Sequence, residues 1–528
     1  MKQQLWKARK WGLLGASTLL LASTVFGACA KEEGGTAEGT APAAATASAK
    51  PAEPMEITWM PLPTGAQVNS YAQQYIEKKF NVKINPILNP ITGYTDKQRI
   101  ILSSNEIPDI FYVPESQSLY KYAAQGLLAE VPVDAIKKSA PDTYAMLNTN
   151  APQAWYYSNY NGKNYGLPTV YHLGRYNAKQ AWREDLLKKA GVDKIPETLE
   201  EFEAAFAKLK QIGVYGMSTI GNSYYAQFHT VFGAFGVLPP QWMVKDGKVV
   251  NAAVQPEAKQ ALTLLADWFK KGYIDPEFVT GKDLDVKFVN GKVAFLDSNA
   301  YTATLPTNPN SHISKARKID PNANVVFGPL PKGPAGQHGW AWGTAGHILA
   351  FGKQLKDQPE KLAKILEIIN AIQNDEETYL AMTWGEKGKH YDLVDPAKGP
   401  EAGLKRLPPY DDEAKLSTEG LFDSVGLTTV FADQGNPALF EKFTDKETSK
   451  LRSMYDGAVS DIFGKPDVLT SSGKYWGDLT KLKIDTYAAI VFGNKPVSAF
   501  DDFVKQWYSM GGTELEKEAN DMYNSMKK

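Results

Sequence analysis

Met55-Glu-Ile-Thr-Trp-Met60, bounded by Pro54 and Pro61, is short and apolar-rich and reads as a β-strand. Just after it, Tyr71, Tyr75, Ile76 and Phe80 recur at helical spacing, and Val82 to Leu88 reads as a second strand. A helical stretch from Thr95 to Ser104 then leads into a third short apolar run, Asp109-Ile-Phe-Tyr-Val113. Strand, helix, strand, helix, strand in this order predicts right-handed crossovers and a parallel sheet covered by helices, an α/β fold. Ligands of such sheets bind beyond the carboxyl ends of the strands, which directs attention to the loops that start at Pro61 and Pro114.

The pattern continues toward the C-terminus. Thr198 stands three residues before Glu201, a capping box ahead of Leu199, Phe202, Phe206 and Leu209 at helical spacing. Helices also read at Ala258 to Lys271 and at Pro359 to Gln373, and strand-like segments at Val249 to Ala253, Lys292 to Leu296 and Gly346 to Phe351. The Gly/Pro-rich run from Gly328 to Gly336 suits a connection between lobes. The foldable part, from about residue 55 onward, is roughly 470 residues, too long for one compact core. At least two lobes are expected.

The N-terminus has a different character. Lys2, Lys7, Arg9 and Lys10 precede an apolar run of 16 residues from Trp11 to Phe26, and Gly27 and Ala28 follow: the order of a secretory signal, with too few apolar residues to span a bilayer. Val25-Phe-Gly-Ala-Cys29 resembles the lipobox of bacterial lipoproteins, in which the signal is cut before a cysteine that then carries lipid. Phe26 stands where that motif usually has leucine. The resemblance implies a signal peptide at 1–28 and a fatty-acid (palmitate-type) anchor on Cys29. Because Cys29 is the only cysteine, disulfides, zinc-thiolate sites and thiol catalysis are excluded from the folded part. Residues 29–54, rich in Gly, Ala, Ser, Thr and Pro, cannot bury enough apolar surface to order themselves and read as a flexible tether.

The whole chain carries 58 Lys+Arg against 59 Asp+Glu, and the signal takes only basic residues with it. A near-balanced charge gives no support for nucleic-acid binding.

Several segments taken together resemble the extracellular solute-binding proteins of family 1, lipoprotein receptors of bacterial ABC importers for sugars. They are Gly126-Leu-Leu-Ala-Glu-Val131, Asn161-Gly-Lys-Asn-Tyr-Gly-Leu-Pro168, Trp182-Arg-Glu-Asp-Leu-Leu-Lys-Lys-Ala-Gly191 with Pro196-Glu-Thr-Leu-Glu-Glu-Phe202, Phe288-Val-Asn-Gly-Lys-Val-Ala294, Pro331-Lys-Gly-Pro-Ala-Gly336 and Ile490-Val-Phe-Gly493. Each is weak alone; their order over nearly the whole chain, behind a lipobox, is specific. The resemblance implies a periplasmic-binding-protein-like fold, with hinge crossings and a ligand cleft between two α/β lobes. The first lobe would comprise residues 55–172 and 337–390, the second 173–336 and 391–528. It also implies ABC permease subunits as partners, a monomer, and a place on the outer face of a Gram-positive cytoplasmic membrane, touched only through the lipid. Larger family members often carry an acidic calcium loop after the Thr-Leu-Glu-Glu-Phe helix. Here Lys208-Leu-Lys-Gln-Ile-Gly runs straight into Val214-Tyr-Gly, so no calcium is expected there, and no cofactor or other metal is expected.

A sugar offers CH faces that pack on aromatic rings and hydroxyl rims that need fixed donors and acceptors. In the first lobe the candidates are Trp59 at the end of the first strand, Glu115 after the third, and Tyr171 and His172 after the first hinge signal. Trp340 and Trp342, in Gly-Trp-Ala-Trp-Gly, would share one face by alternation, and Trp384 and Glu386 follow a helix. Asn222, Tyr224, Tyr225 and Asp297, with Ser298 and Asn299, are the second-lobe candidates. The plainer alternatives are a core role for Trp59, a solvated carboxylate at Glu115, and interlobe packing for Trp340 and Trp342. Trp155 to Tyr160 reads as a packed aromatic turn. An exported glycan-degrading enzyme is the competing function. No Gly-x-Ser-x-Gly, His-Glu-x-x-His or Walker motif appears, and His172, His229, His312, His338, His347 and His390 lack metal-ligand spacing. A partner of a sensor system would need the same liganded form as an importer.

Overall fold

The computed structural model describes residues 53–526 apart from 63–64, 89–93, 105, 171–179, 298–302, 305–309, 344, 422–435, 447–448 and 450–457. The signal, Cys29, nearly all of the tether, Tyr171, His172, Ser298 and Asn299 lie outside the described residues.

The first sheet is built from β1 (Met55–Met60), β2 (Val82–Pro86) and β3 (Ile110–Val113), linked by α1 (Tyr71–Phe80) and α2 (Tyr94–Ser103). These three strands are parallel, with β1 between β2 and β3. Asp109, one residue before β3, fastens it to β1 by accepting from Thr58 N–H (2.9 Å) and Thr58 Oγ1 (3.0 Å) while Lys361 pairs with it at 2.7 Å. Burial opposes ionisation of this carboxyl, yet the Lys361 ammonium and the donated hydrogen bonds hold it below the usual carboxylate range. α3 (Ser116–Ala124) follows β3, and β4 (Gly166–Val170) closes this part of the chain.

The second sheet begins at β5 (Gln180–Arg183). α4 (Leu199–Gln211) starts at the predicted capping box, with Thr198 Oγ1 accepting from Glu201 N–H and the Glu201 carboxylate from Thr198 N–H. Its buried face sets Phe202 and Phe206 against Trp182, with ring centroids 4.9 and 6.1 Å away. The helix passes through Ile212 and Gly213, at φ 76°, into β6 (Tyr215–Thr219), with no loop between. Next come α5 (His229–Ala234), the hairpin β7 (Trp242–Lys245) and β8 (Lys248–Asn251), α6 (Pro256–Lys270), β9 (Val293–Asp297) and β10 (Val325–Gly328). The sheet order is β10-β5-β9-β6. The strand expected at Val249 to Ala253 lies in the hairpin instead, because Asp246 and Gly247, both at positive φ, turn the chain back at once.

The chain then returns to the first sheet as β11 (Ala345–Phe351), giving the order β2-β1-β3-β11-β4. β11 is antiparallel to both β3 and β4, so the sheet is mixed rather than wholly parallel. A chain re-entering from the side of the carboxyl ends has to run against its neighbours. α7 (Pro359–Asn374) and α8 (Glu376–Thr383) cover this lobe.

Much of Tyr391 to Phe443 leans on first-lobe elements: Arg406 donates to the carbonyls of Trp384 (2.8 Å) and Thr383 (2.7 Å), Gln67 N–H to Thr418 O (3.2 Å) and Asn436 to Asn374 (3.1 Å). The final helices are α9 (Ser472–Val491), α10 (Ala499–Trp507) and α11 (Thr513–Met526). α9 packs against both α3 and α6, so it belongs to both lobes. The main buried cluster includes Ile57, Trp59 and Phe111 of the first sheet and Trp182, Phe202 and Phe295 around the second. No helix among the described residues is long and apolar enough to cross a membrane.

Candidate functional site

β6 and β9 carry Tyr224, Tyr225 and Asp297 at or beyond their carboxyl ends, and β3 carries Glu115. Between the lobes runs the return segment, where Gly339–Trp340 pairs in parallel with Ala458–Val459. Tyr225 stacks on Trp340 at 4.4 Å between ring centroids and 25° between planes, and Trp342 closes the group at 5.0 Å from Tyr225 and 4.8 Å from Trp340. Tyr224 adds an edge contact to Tyr225 at 5.1 Å.

Trp340 is held through its backbone. Its N–H donates to His229 Nδ1 (3.3 Å), which leaves the proton of the neutral ring on Nε2, 3.4 Å from Asp297 Oδ1. Thr230 Oγ1 donates to the same carboxylate oxygen at 2.7 Å. Burial pushes His229 below its ordinary value against the pull of Asp297, so the imidazole is neutral at neutral pH; burial pushes the Asp297 carboxyl up. Trp340 Nε1 and Tyr157 Oη are buried with no hydrogen-bond partner among the described residues.

Facing the rings is a charged group. Lys465 Nζ sits 4.8 Å from the Trp342 ring centre and 5.7 Å from that of Tyr157. Lys465 and Asp467 are each only 6% exposed, and Gln117 links Asp467 to Glu115: its backbone N–H lies 3.4 Å from Asp467 Oδ2 and its side chain donates to Glu115 Oε2 at 2.8 Å. Burial, then Asp467, raises the Glu115 carboxyl; burial also raises Asp467, with Lys465 pulling it back. The Lys465 ammonium is pushed by burial down to about 8 despite both carboxylates. His347, whose Nδ1 lies 3.4 Å from Pro114 O, is kept neutral by burial, at about 3. Rings for apolar faces and fixed donors and acceptors for hydroxyls thus converge from both lobes and from the segments joining them.

Of the residues singled out in the sequence, Tyr224, Tyr225, Trp340 and Trp342 come together, while Glu115 is tied through Gln117 to Asp467. Asp297 stands behind Trp340, wholly buried, and acts on it through His229. Trp59 is 1% exposed on the same strand face as Ile57 and is a core residue. Asn222 is exposed in the turn after β6, near Gly281. Trp384 belongs to another cluster, with Arg406 over its ring at 4.3 Å and Tyr391 at 6.0 Å, while Glu386 is exposed and gives its backbone N–H to His390 Nδ1 (2.9 Å). Gln117, Tyr157, His229, His347, Lys465 and Asp467 were not expected. The available sign for the last two was the polar turn Gly464-Lys-Pro-Asp467 between apolar Ile462-Phe463 and Val468-Leu469.

Residues 62–377 match the family described as bacterial extracellular solute-binding protein. Lipoprotein LipO of Bacillus subtilis (strain 168) is 24% identical over 477 residues, 86% of this chain and 88% of its own. The polygalacturonan/rhamnogalacturonan-binding protein YtcQ of the same organism is 24% identical over 548 residues, 98% of this chain and 99% of its own. Among solved structures, alginate-binding protein AlgQ2 without calcium ion has a TM-score of 0.65 at 16% identity, covering 90% of this chain and 98% of that one. The S. pneumoniae ABC-transporter substrate-binding protein FusA, an EF-hand mutant in complex with fructo-nystose, has a TM-score of 0.64 at 17% identity, covering 89% and 99%. At these identities the structures speak to the fold.

Proposed function

Because the chain belongs to the bacterial extracellular solute-binding proteins, we propose that it is a lipid-anchored receptor that captures an oligosaccharide between its lobes and delivers it to an ABC permease. The observation that carries this reading is the Tyr225–Trp340–Trp342 ring group set against Glu115, Lys465 and Asp467, a pairing of aromatic faces with hydroxyl-binding groups. Relatives named for glycans, among them YtcQ and AlgQ2, support the choice of ligand class. The receptor works as a monomer and breaks no bond. Closure is a population shift, since a ligand touching both lobes binds the closed form better.

Lipid on Cys29 holds the receptor at the outer face of a Gram-positive cytoplasmic membrane, a reading supported by the lipobox-like Val25–Cys29 and by LipO. A thermal-shift screen of the full-length protein in mild detergent against an oligosaccharide panel tests the ligand class. Ligand at about 100 times Kd adds about 2.7 kcal/mol of stability. A panel that moves nothing, or that is shortened in the tube, overturns the reading. Mass spectrometry of the mature N-terminal peptide checks the anchor, and a Cys29 without lipid removes it.

A further inference from the structure

The turn that carries Lys465 is held from two sides by residues outside the ring group. From the second lobe, Trp242 at the start of β7 gives its main-chain N–H to Asp461 Oδ2 (2.5 Å) and its indole N–H to Pro466 O (2.9 Å), and Gln241 donates to Val459 O (2.9 Å). Asp461 shapes the turn itself: its Oδ1 accepts from Phe463 N–H (2.8 Å) and its carbonyl from Gly464 N–H (2.7 Å), the Asp-first, Gly-last pattern of a β-turn. From the first lobe, Tyr120 on α3 donates its hydroxyl to Val468 O (2.7 Å) and Tyr156 O (2.9 Å). Gly464 passes so close to Tyr157 that a Cβ there would lie 2.0 Å from Tyr157 Oη. Lys465 thus stands between a glycine with no room for a side chain and a proline that fixes φ, beside the carbonyl that Trp242 anchors.

So held, the Lys465 ammonium meets the rings of Trp342 and Tyr157, and among the described residues no oxygen accepts a hydrogen bond from it. A buried ammonium in that condition is costly, and an acceptor brought by a ligand offsets the cost. We propose that Trp242 and Tyr120 are positioning residues for ligand binding: acting on Pro466 O and Val468 O from opposite lobes, they hold the Lys465 ammonium beside Trp342, where it donates to a hydroxyl oxygen of the glycan. This rests on the oligosaccharide reading above and adds to it two residues, each 1% exposed, that touch no ligand. The dependence is steep because a hydrogen bond tolerates a displacement of only a few tenths of an ångström.

The test uses the full-length protein and the glycan giving the largest thermal shift in the panel. That glycan is titrated calorimetrically into wild type, Trp242→Phe, Tyr120→Phe, Lys465→Met and the two double variants that combine Lys465→Met with each of the others. Lys465→Met should weaken binding about tenfold, the loss of a hydrogen bond from a charged donor, and Trp242→Phe and Tyr120→Phe about threefold each. In the Lys465→Met background the two further losses should vanish. That disappearance is the decisive reading, because a merely structural role for Trp242 or Tyr120 would weaken binding whether or not the ammonium is present. Should Trp242→Phe fold poorly, Tyr120→Phe, which keeps the ring stacked on Tyr160 at 5.7 Å, carries the test alone. Wild-type affinity in Lys465→Met or in both positioning variants, or losses that persist in full in the doubles, overturns the inference and leaves the receptor reading standing. If no glycan binds, both fall together.

Discussion

Gly233 lies where α5 touches the return segment, and a Cβ added there would sit 1.8 Å from His338 O and 2.6 Å from His338 C. The obstruction is backbone, so no side-chain rotation relieves it. Restoring an ordinary contact in Gly233→Ala requires helix and segment to part by roughly 1.5 Å. That displacement strains the bond from Trp340 N–H to His229 Nδ1 and those from Ala335 N–H and His338 N–H to the helix. Overpacking costs about 1–3 kcal/mol and each lost hydrogen bond about 1 kcal/mol, for a total of about 2–4 kcal/mol. Tm should fall on the order of 2–4 °C, since roughly 470 residues carry an unfolding entropy of about 1 kcal/mol per degree. Because Trp340 moves with the segment, ligand affinity should fall at least tenfold even well below the melting range. Scanning calorimetry gives the first quantity and isothermal titration the second. A Gly233→Ala protein with wild-type Tm and affinity would refute the claim that this contact sets the position of Trp340.

Trp342→Ala should weaken ligand at least tenfold, about 1.4 kcal/mol, with little change in Tm because the ring is only half buried; titration and melting curves read the two separately. Tyr225→Ala and Trp340→Ala, combined in a double-mutant cycle on ligand affinity, should show coupling of about 0.5–1.5 kcal/mol from their stacking, and strict additivity would separate them. Thr198→Ala removes one arm of the capping box and should cost about 1 kcal/mol in urea denaturation without touching affinity. Burial pushes the Asp461 carboxyl up to about 7, so its stabilising effect is complete below its unfolded value near 4 and is lost as pH rises through 7. Urea midpoints should therefore show a fall from pH 4 to 7 due to this group, flattened in Asp461→Asn; parallel curves would contradict it.

The early strands were legible because their signals are local. Met55–Met60, Ile110–Val113 and the capping box at Thr198 need only near neighbours in sequence. The direction of β11 was not, since it depends on which side of the sheet the chain re-enters after the second lobe. Trp340 and Trp342 drew notice as large rings in a glycine-flanked stretch, but the partners of Trp342 are set by burial. Lys465 and Asp467 look in sequence like any solvated pair, and only tertiary packing takes them out of water. Trp59 shows the reverse case: period two placed it on the Ile57 face, and that face is core. The helical surface after His390 carries no mark of which lobe it will cover, and Arg406 decides it by binding the end of α8.

Trp340 is tied by His229 to the second lobe, whereas Trp342, two residues on, rests beside His347 of the first at 6.3 Å between centroids. Any rotation of one lobe against the other must therefore change the separation and angle of two indoles now 4.8 Å and 76° apart. Exciton coupling between transition dipoles depends steeply on both quantities. The near-ultraviolet circular dichroism of this protein should thus act as a built-in goniometer for the hinge, readable without any attached dye.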